Sequence, residues 1–149
     1  MNLSESNNIK IVKTDDINAC LEIRRKVFID EQNVPSELEI DGYDTSNSEC
    51  EHFLITDNGI NVGTFRLIYD KPKIAHMQRL CVLPEMRGKG YGYAAMSFLK
   101  EECKKRGNSK ITLGAQCHAI PFYESCGFVC VSDVFLDAGI EHRTMECVL

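Results

Sequence analysis

The run Arg87-Gly88-Lys89-Gly90-Tyr91-Gly92 alternates three glycines with two cationic residues and one aromatic. It follows the apolar stretch "LCVL" and precedes a helical pattern. A strand, a glycine-rich turn and a helix N-terminus together make an anion site, because unpaired backbone N–H groups and the positive end of the helix dipole point the same way. The glycines let a diphosphate approach the backbone, and Arg87 and Lys89 add charge-assisted hydrogen bonds, which are stronger than neutral ones. The spacing weakens two nucleotide readings. A Walker A loop needs G-x-x-x-x-G-K-[ST], and no stretch supplies it. A dinucleotide fingerprint needs G-x-G-x-x-G on an early βαβ unit, whereas here Gly92 follows Gly90 directly after Tyr91 and the turn comes late in the chain.

The elements around this turn are legible from periodicity. "NIKIVK" predicts a first strand, and Thr14, Asp15 and Asp16 offer caps for a helix in which Ile17, Cys20, Leu21, Ile23, Val27 and Phe28 share a face, ending near Gln32. Residues 33–51 form a polar interval with Glu37, Glu39, Asp41, Asp44, Glu49 and Glu51 and no base among them. It is either a solvated connection with room for a short helix or a wall that attracts a cationic substrate. Asp57-Asn58-Gly59 predicts a tight hairpin between two strands, since Asn-Gly accepts positive φ. In "KIAHMQRLCVL" the apolar phase shifts: Ala75 and Met77 lie at odd positions, Leu80 and Val82 at even ones. A β-bulge near Gln78 to Leu80 produces such a slip, and so does a strand buried on both faces.

After the glycines, Tyr91, Ala94, Ala95, Phe98, Leu99 and Cys103 describe an amphipathic helix, with Lys104, Lys105 and Arg106 suiting its C-terminus and Gly107 its stop. "KITLGAQ" reads as a strand, "AIPFYESC" as a short helix ended by Gly127, "FVCVSD" as a strand and "IEHRTMECVL" as a last one. The order is mixed α/β (α+β) with several hairpins and one strand-helix-strand crossover.

A chain of 149 residues, 44% hydrophobic and 26% charged, is expected to form a single domain spanning residues 1–149. A formal net charge of -5 argues against a general nucleic-acid binder, which needs a basic face. Eight cysteines without an opening signal peptide or a CxxC pair suggest reduced, buried thiols and a cytoplasmic location. Cys126 and Cys130 with His118 and His142 could be imagined around zinc, but Cys-x3-Cys across a Gly-Phe turn is a poor chelate, so no metal is expected. No apolar run approaches the ~20 residues that span a bilayer, so no membrane partner is expected either.

"RGKGYG" matches the R/Q-x-x-G-x-G/A signature of the GNAT N-acetyltransferases, with Arg87, Gly90 and Gly92 in the fixed places. "LCVLPEM" is similar to that family's L-x-V-x-P strand end, and "FYESCGF" to its short helix F-Y-x-x-x-G-F. "RRKVFIDEQNVP", "EIDGYD" and "LGAQCHAIPFY" further resemble the ElaA-like or YjcF-like branch. The resemblance implies a splayed mixed sheet of about six to seven strands flanked by about four helices. In it acetyl-CoA, a cosubstrate, lies between the bulged strand and "KITLGAQ". Backbone groups of Leu80, Cys81 and Val82 would pair with the pantetheine arm as a missing strand would, and Arg87, Gly88, Lys89, Gly90, Tyr91 and Gly92 would hold the pyrophosphate. Tyr123 corresponds to the family tyrosine that hydrogen-bonds the CoA sulfur.

The implied activity is acetyl transfer from acetyl-CoA to a primary amine of a small-molecule or peptide acceptor, by direct attack in a ternary complex. The attacking nitrogen must be neutral. An amine of pKa ~10.4 is about 3.4 pH units too protonated at neutrality, a penalty of roughly 4.6 kcal/mol. A base, water or a desolvating pocket must offset part of it. Glu31, ending the first helix, and Asp41, in the acidic interval, are the carboxylates placed to face an acceptor. His76 and His118 lie near the cofactor elements, as functional groups or as ordinary structural histidines, His118 also suiting the CoA channel. Tyr123, with a phenol pKa ~10 against ~8.5 for a thiol, gives up its proton fully only at about 2 kcal/mol uphill, so it acts as a donor that strengthens as charge develops on sulfur. An ordinary core tyrosine is the other reading. Acidic residues favour a cationic acceptor, while Arg24, Arg25, Arg66 and Arg79 could favour an anionic one. An exposed final strand would suit a homodimer. Two rivals remain: a catalytically silent CoA-binding regulatory module, and a nucleotide-binding domain that would take adenosine diphosphates lacking pantetheine as tightly as CoA.

Overall fold

The computed structural model describes residues 8–45 and 49–149. Residues 46–48 of the acidic interval lie outside them. Four strands, β1 (Ile9–Thr14), β2 (Glu51–Asp57), β3 (Ile60–Lys71) and β4 (Ile74–Val82), pair antiparallel with their neighbours. Asn58 and Gly59 turn β2 into β3 with φ of 52° and 79°, the positive values that the Asn-Gly pair predicts. The sheet continues with β5 (Lys110–Gln116), β8 (Ile140–Val148) and β6 (Val129–Cys130), and β7 (Phe135–Asp137) also pairs with β8. Eight strands replace the six or seven expected. The extra one is β7, whose hairpin turns at Ala138 (φ 51°) and Gly139 (φ 78°), with alanine where asparagine would have marked it. The final strand is interior, held by β5 on one side and by β6 and β7 on the other, so the expected exposed strand for dimerisation is not there.

Helix α1 (Ile17–Arg24) is capped by the Asp16 carboxylate, which accepts from the Ala19 N–H at 3.1 Å. It runs on through a wider turn, Arg25–Glu31, in which Gln32 N–H reaches back five residues to the Val27 carbonyl at 3.1 Å. Such π-type turns concentrate at functional sites. The short α2 (Ser36–Glu39) lies within the acidic interval. Helix α3 (Tyr91–Lys105) ends at Gly107 (φ 78°), where Asn108 N–H closes on the Cys103 carbonyl at 2.9 Å. Helix α4 (Ile120–Ser125) follows β5 after one tight turn. Among the described residues no helix is long and apolar enough to cross a membrane.

Alternation along the strands builds two cores. Phe53, Phe65, Met77, Leu113 and Met145 pack with Met96 and Leu99 of α3, while Cys20, Ile23 and Val27 of α1 cover Leu54, Cys81 and Leu83 on the opposite face. The phase slip in β4 is a bulge. Thr64 pairs with Cys81 and Arg66 with Gln78, leaving Arg79 and Leu80 opposite Phe65 alone, and Arg79 takes φ 61°. The extra residue is what returns Leu80 and Val82 to the α3 side after Met77.

Candidate active site

The parallel pairing of β4 with β5 stops after three residue pairs, Ile74–Lys110, Ala75–Ile111 and His76–Thr112. Beyond them the strands part. The β4 edge as far as Val82 meets no further strand of the described residues on that side. A cleft of about 1140 Å³ enters there, walled by Leu80, Cys81 and Val82 on β4 and by Gly114 and Gln116 on β5, with Tyr123 and His118 beyond.

The glycine turn closes one end of this cleft. Gly88 and Gly90 have φ of 78° and 86°, where a side chain is disfavoured, and open space lies around both. Gly90 is the uncapped start of α3, whose first hydrogen bond runs from Ala94 N–H to the Gly90 carbonyl at 3.0 Å. The N–H groups before Ala94 lie ahead of the helix's own ladder, which makes this end a site for negative charge. Gly92 is bare for a different reason: a Cβ there would come within 3.1 Å of the Phe122 ring. Tyr91 is core, 3% exposed, with its hydroxyl donating to Asp57 Oδ2, so its phenol is directed away from the turn. Lys89 is exposed.

Arg87 is already engaged. Its Nε donates to the Val82 carbonyl at 3.2 Å and its two terminal nitrogens donate to the Glu31 carboxylate at 2.7 and 2.6 Å. The hydrogen bonds from Arg87 hold the Glu31 carboxyl below the usual range, and His118 is close enough to add to that pull. One residue on, Gln32 and Gln116 exchange hydrogen bonds at 3.1 and 2.8 Å. The end of the wide turn thus ties to the glycine turn through Glu31 and to β5 through Gln32.

Tyr123 is buried, with Phe122 and Phe128 edge-on at 5.1 and 5.9 Å. Burial pushes its phenol far above the ordinary value, so it keeps its proton at neutral pH. The Cys81 thiol is likewise pushed up by burial and stays uncharged. Asp41 is not presented as an isolated carboxylate: Arg66 donates to both of its oxygens at 2.8 and 2.7 Å. Burial opposes its ionisation, but the Arg66 bonds outweigh that and hold its carboxyl low. The acidic interval does have bases, therefore, supplied by Arg24 of α1, Arg66 of β3 and Arg79 of β4. Arg24 and Arg66, each 1% exposed, are buried with these carboxylates and are not displayed to a ligand.

His76 lines the cleft from β4. His142, weighed from the sequence only for zinc, lines it from β8, opposite Gln116, stacked on Phe135 at 5.8 Å. Its Nδ1 lies 2.7 Å from the Ile140 carbonyl, so that nitrogen carries a hydrogen, which in the neutral ring puts the lone pair on Nε2. The signal that points to it in the sequence is the alternation of "IEHRTMECVL", in which His142 and Thr144 share one face and Met145 and Cys147 the other. Among the described residues no group of three or more His, Cys, Asp or Glu is arranged to hold a metal.

The acetyltransferase (GNAT) domain matches residues 17–149. The uncharacterized N-acetyltransferase YjcF of Bacillus subtilis is 39% identical over 124 residues, which cover 83% of this chain and 86% of that one. Protein ElaA of Escherichia coli is 35% identical over 130 residues, covering 85% and 84%, and its crystal structure superposes with a TM-score of 0.80 over 93% of this chain and 99% of that one. The fold also matches that of the PaiA N-acetyltransferase of Thermoplasma acidophilum, solved with coenzyme A, with a TM-score of 0.72 at 19% identity over 95% of this chain and 99% of that one. With the splayed sheet and the glycine turn in place, these likenesses establish that the chain belongs to the GNAT acetyltransferase family and is an acyltransferase.

Proposed function

We propose that the protein moves an acetyl group from acetyl-CoA to a primary amine of a small-molecule or peptide acceptor, by direct attack within a ternary complex. The observation that carries this reading is the unpaired β4 edge, which runs from the parting of the strands to Val82, one short turn (Pro84–Met86) ahead of the glycine run. A pantetheine arm lying there satisfies the backbone of Leu80, Cys81 and Val82 as a strand would, and its pyrophosphate reaches Gly88, Gly90 and the start of α3. The coenzyme A in the similarly folded PaiA structure supports the cofactor class.

In this reading the amine nitrogen attacks the thioester carbonyl, the C–S bond breaks and the sulfur leaves as a thiolate. The Tyr123 hydroxyl donates a hydrogen bond to that sulfur as its charge grows. The ion pairs of Glu31 and Asp41 suit them to fixing arginines rather than to taking protons. The amine proton is assigned instead to His142 Nε2, directly or through water, because that histidine has its tautomer fixed and faces the cleft.

Calorimetric titration of the purified protein with acetyl-CoA tests the reading, and a non-thiol readout avoids interference from eight cysteines. Micromolar binding that weakens in Arg87→Ala is expected. Equal binding of adenosine diphosphates lacking pantetheine would favour a nucleotide site. Binding of acetyl-CoA without transfer to any amine in a broad screen would favour a silent CoA module.

A further inference from the structure

Six charged side chains close into a ring behind the β4 bulge. Arg24 contacts Glu39 at 2.5 Å and Asp44 at 2.6 Å. Arg66 contacts Asp44 at 3.0 Å and Asp41 at 2.7 Å. Arg79 contacts Asp41 at 3.5 Å and Glu39 at 2.8 Å, so every cation meets two carboxylates and every carboxylate two cations. Three positive and three negative charges leave the ring neutral, which allows four of its six side chains to be at most 2% exposed. Its members come from α1, α2, the turn after α2, β3 and β4, elements that share no local sequence signal.

Buried ion pairs of this kind add little stability over an apolar core, so what they fix in space matters more than the energy they supply. Here they fix the bulge. Arg79 holds φ 61°, a conformation disfavoured for a long side chain and sustained only when the surroundings over-determine it. The surroundings do so: besides the ion pairs with the Glu39 and Asp41 carboxylates, Arg79 Nη2 donates to the main-chain carbonyls of Glu39 and Leu38 at 3.2 and 3.4 Å. The preceding residue is tied as well, since Gln78 Oε1 accepts from Arg66 at 3.0 and 2.6 Å. The next three residues, Leu80 to Val82, are the cleft wall.

We infer that the ring sets the direction of the β4 edge for the acyl-carrying arm, with Arg79 and Glu39, which border the cleft beside that edge, acting on it as positioning residues. The inference rests on the acetyl-CoA reading above. Residues 39–44 of the acidic interval then serve neither as a solvated loop nor as a lure for cations; they are the strap that holds the bulge.

Arg79→Gly separates anchoring from strain, because glycine accepts the same φ without any side chain to join the ring. If the ring matters, Arg79→Gly weakens acetyl-CoA binding in calorimetry by about 10-fold or more, as a small misplacement of a binding element does. Hydrogen exchange in residues 77–83 of the unliganded variant quickens, while residues 51–57 of β2 exchange as before. Arg79→Lys restores part of the affinity by keeping a cation next to Glu39. If Arg79→Gly does not fold, Arg79→Lys carries the test alone, with binding expected to be weaker than wild type because one ammonium cannot meet both the Glu39 carboxylate, as Nε does, and the two carbonyls, as Nη2 does. Wild-type affinity and wild-type exchange in every folded variant would overturn the inference. A wild-type protein that binds no acetyl-CoA would overturn instead the reading on which it rests.

Discussion

Glu31 and Arg87 meet through two parallel hydrogen bonds of 2.6 and 2.7 Å, so the carboxylate at the end of the first helix sits on the arginine proposed for the pyrophosphate. The diphosphate and Glu31 compete for one guanidinium. Both side chains are partly exposed, at 39% and 42%, so the pair is weak enough to exchange. Glu31→Gln is expected to tighten acetyl-CoA binding by about 2- to 5-fold, the range an exposed ion pair supports. Weaker binding in calorimetry would mean that Glu31 presents Arg87 to the cofactor rather than competing for it.

Tyr123→Phe tests the departing thiolate. Phenylalanine fits between Phe122 and Phe128, so the thermal midpoint should hold and acetyl-CoA affinity should change little. The turnover rate, read by mass spectrometry of the acetylated amine, should fall about 100-fold, the usual loss of one donor to developing charge. Because burial raises the phenol, its proton is present throughout the neutral range, and no loss of activity below about pH 10 should trace to Tyr123.

His142→Gln should lower the rate, read by mass spectrometry of the acetylated amine, with little effect on acetyl-CoA binding. A wild-type rate in His142→Gln would return the proton to a water chain or to His76.

The charge ring predicts an acid transition. Burial opposes the ionisation of Asp44, but hydrogen bonds from Arg24 and the Asp41 backbone outweigh it and hold the pKa at about 2, and Asp41 is lowered in the same direction by Arg66. Groups depressed in the folded state add stability above their unfolded value of about 3.9 and lose it as the pH falls through the folded one. The thermal midpoint should therefore be insensitive to these two groups above about pH 5 and drop between about pH 4 and 2. Asp44→Asn should lower the midpoint at neutral pH and flatten that acid drop.

Gly92→Ala sets a gain of about 1 kcal/mol in helix propensity against the overpacking of a methyl 3.1 Å from the Phe122 ring, so the sign of the change in thermal midpoint reports whether that half-buried ring gives way. A relieving shift of Phe122 would raise the midpoint and show as a change in near-ultraviolet dichroism; a fixed ring would lower it.

What the sequence disclosed was local. Asn58-Gly59 marked its turn and Gly107 its helix end, and the odd-to-even slip from Met77 to Leu80 marked where β4 breaks phase though not whether by a bulge or by burial on both faces, because each depends on residues a few positions apart. The charge ring was hidden for the opposite reason: Glu39, Asp41 and Asp44 lie together in the chain, but their cations come from three other elements. The glycine motif was visible as a motif, yet spacing does not say whether a residue serves through main chain or side chain. Tyr91 turned inward to Asp57 and Gly92 proved to be packing space for Phe122. β7 escaped because Ala138 occupies a positive-φ position with no residue type to announce it.

The most direct test of the account is hydrogen exchange with and without acetyl-CoA. If the pantetheine arm takes the place of a missing strand, residues 77–83 and 87–94 should exchange more slowly on binding, while residues 51–57, already paired on both sides, should not change. Binding that protects some other segment and leaves residues 77–83 untouched would contradict it.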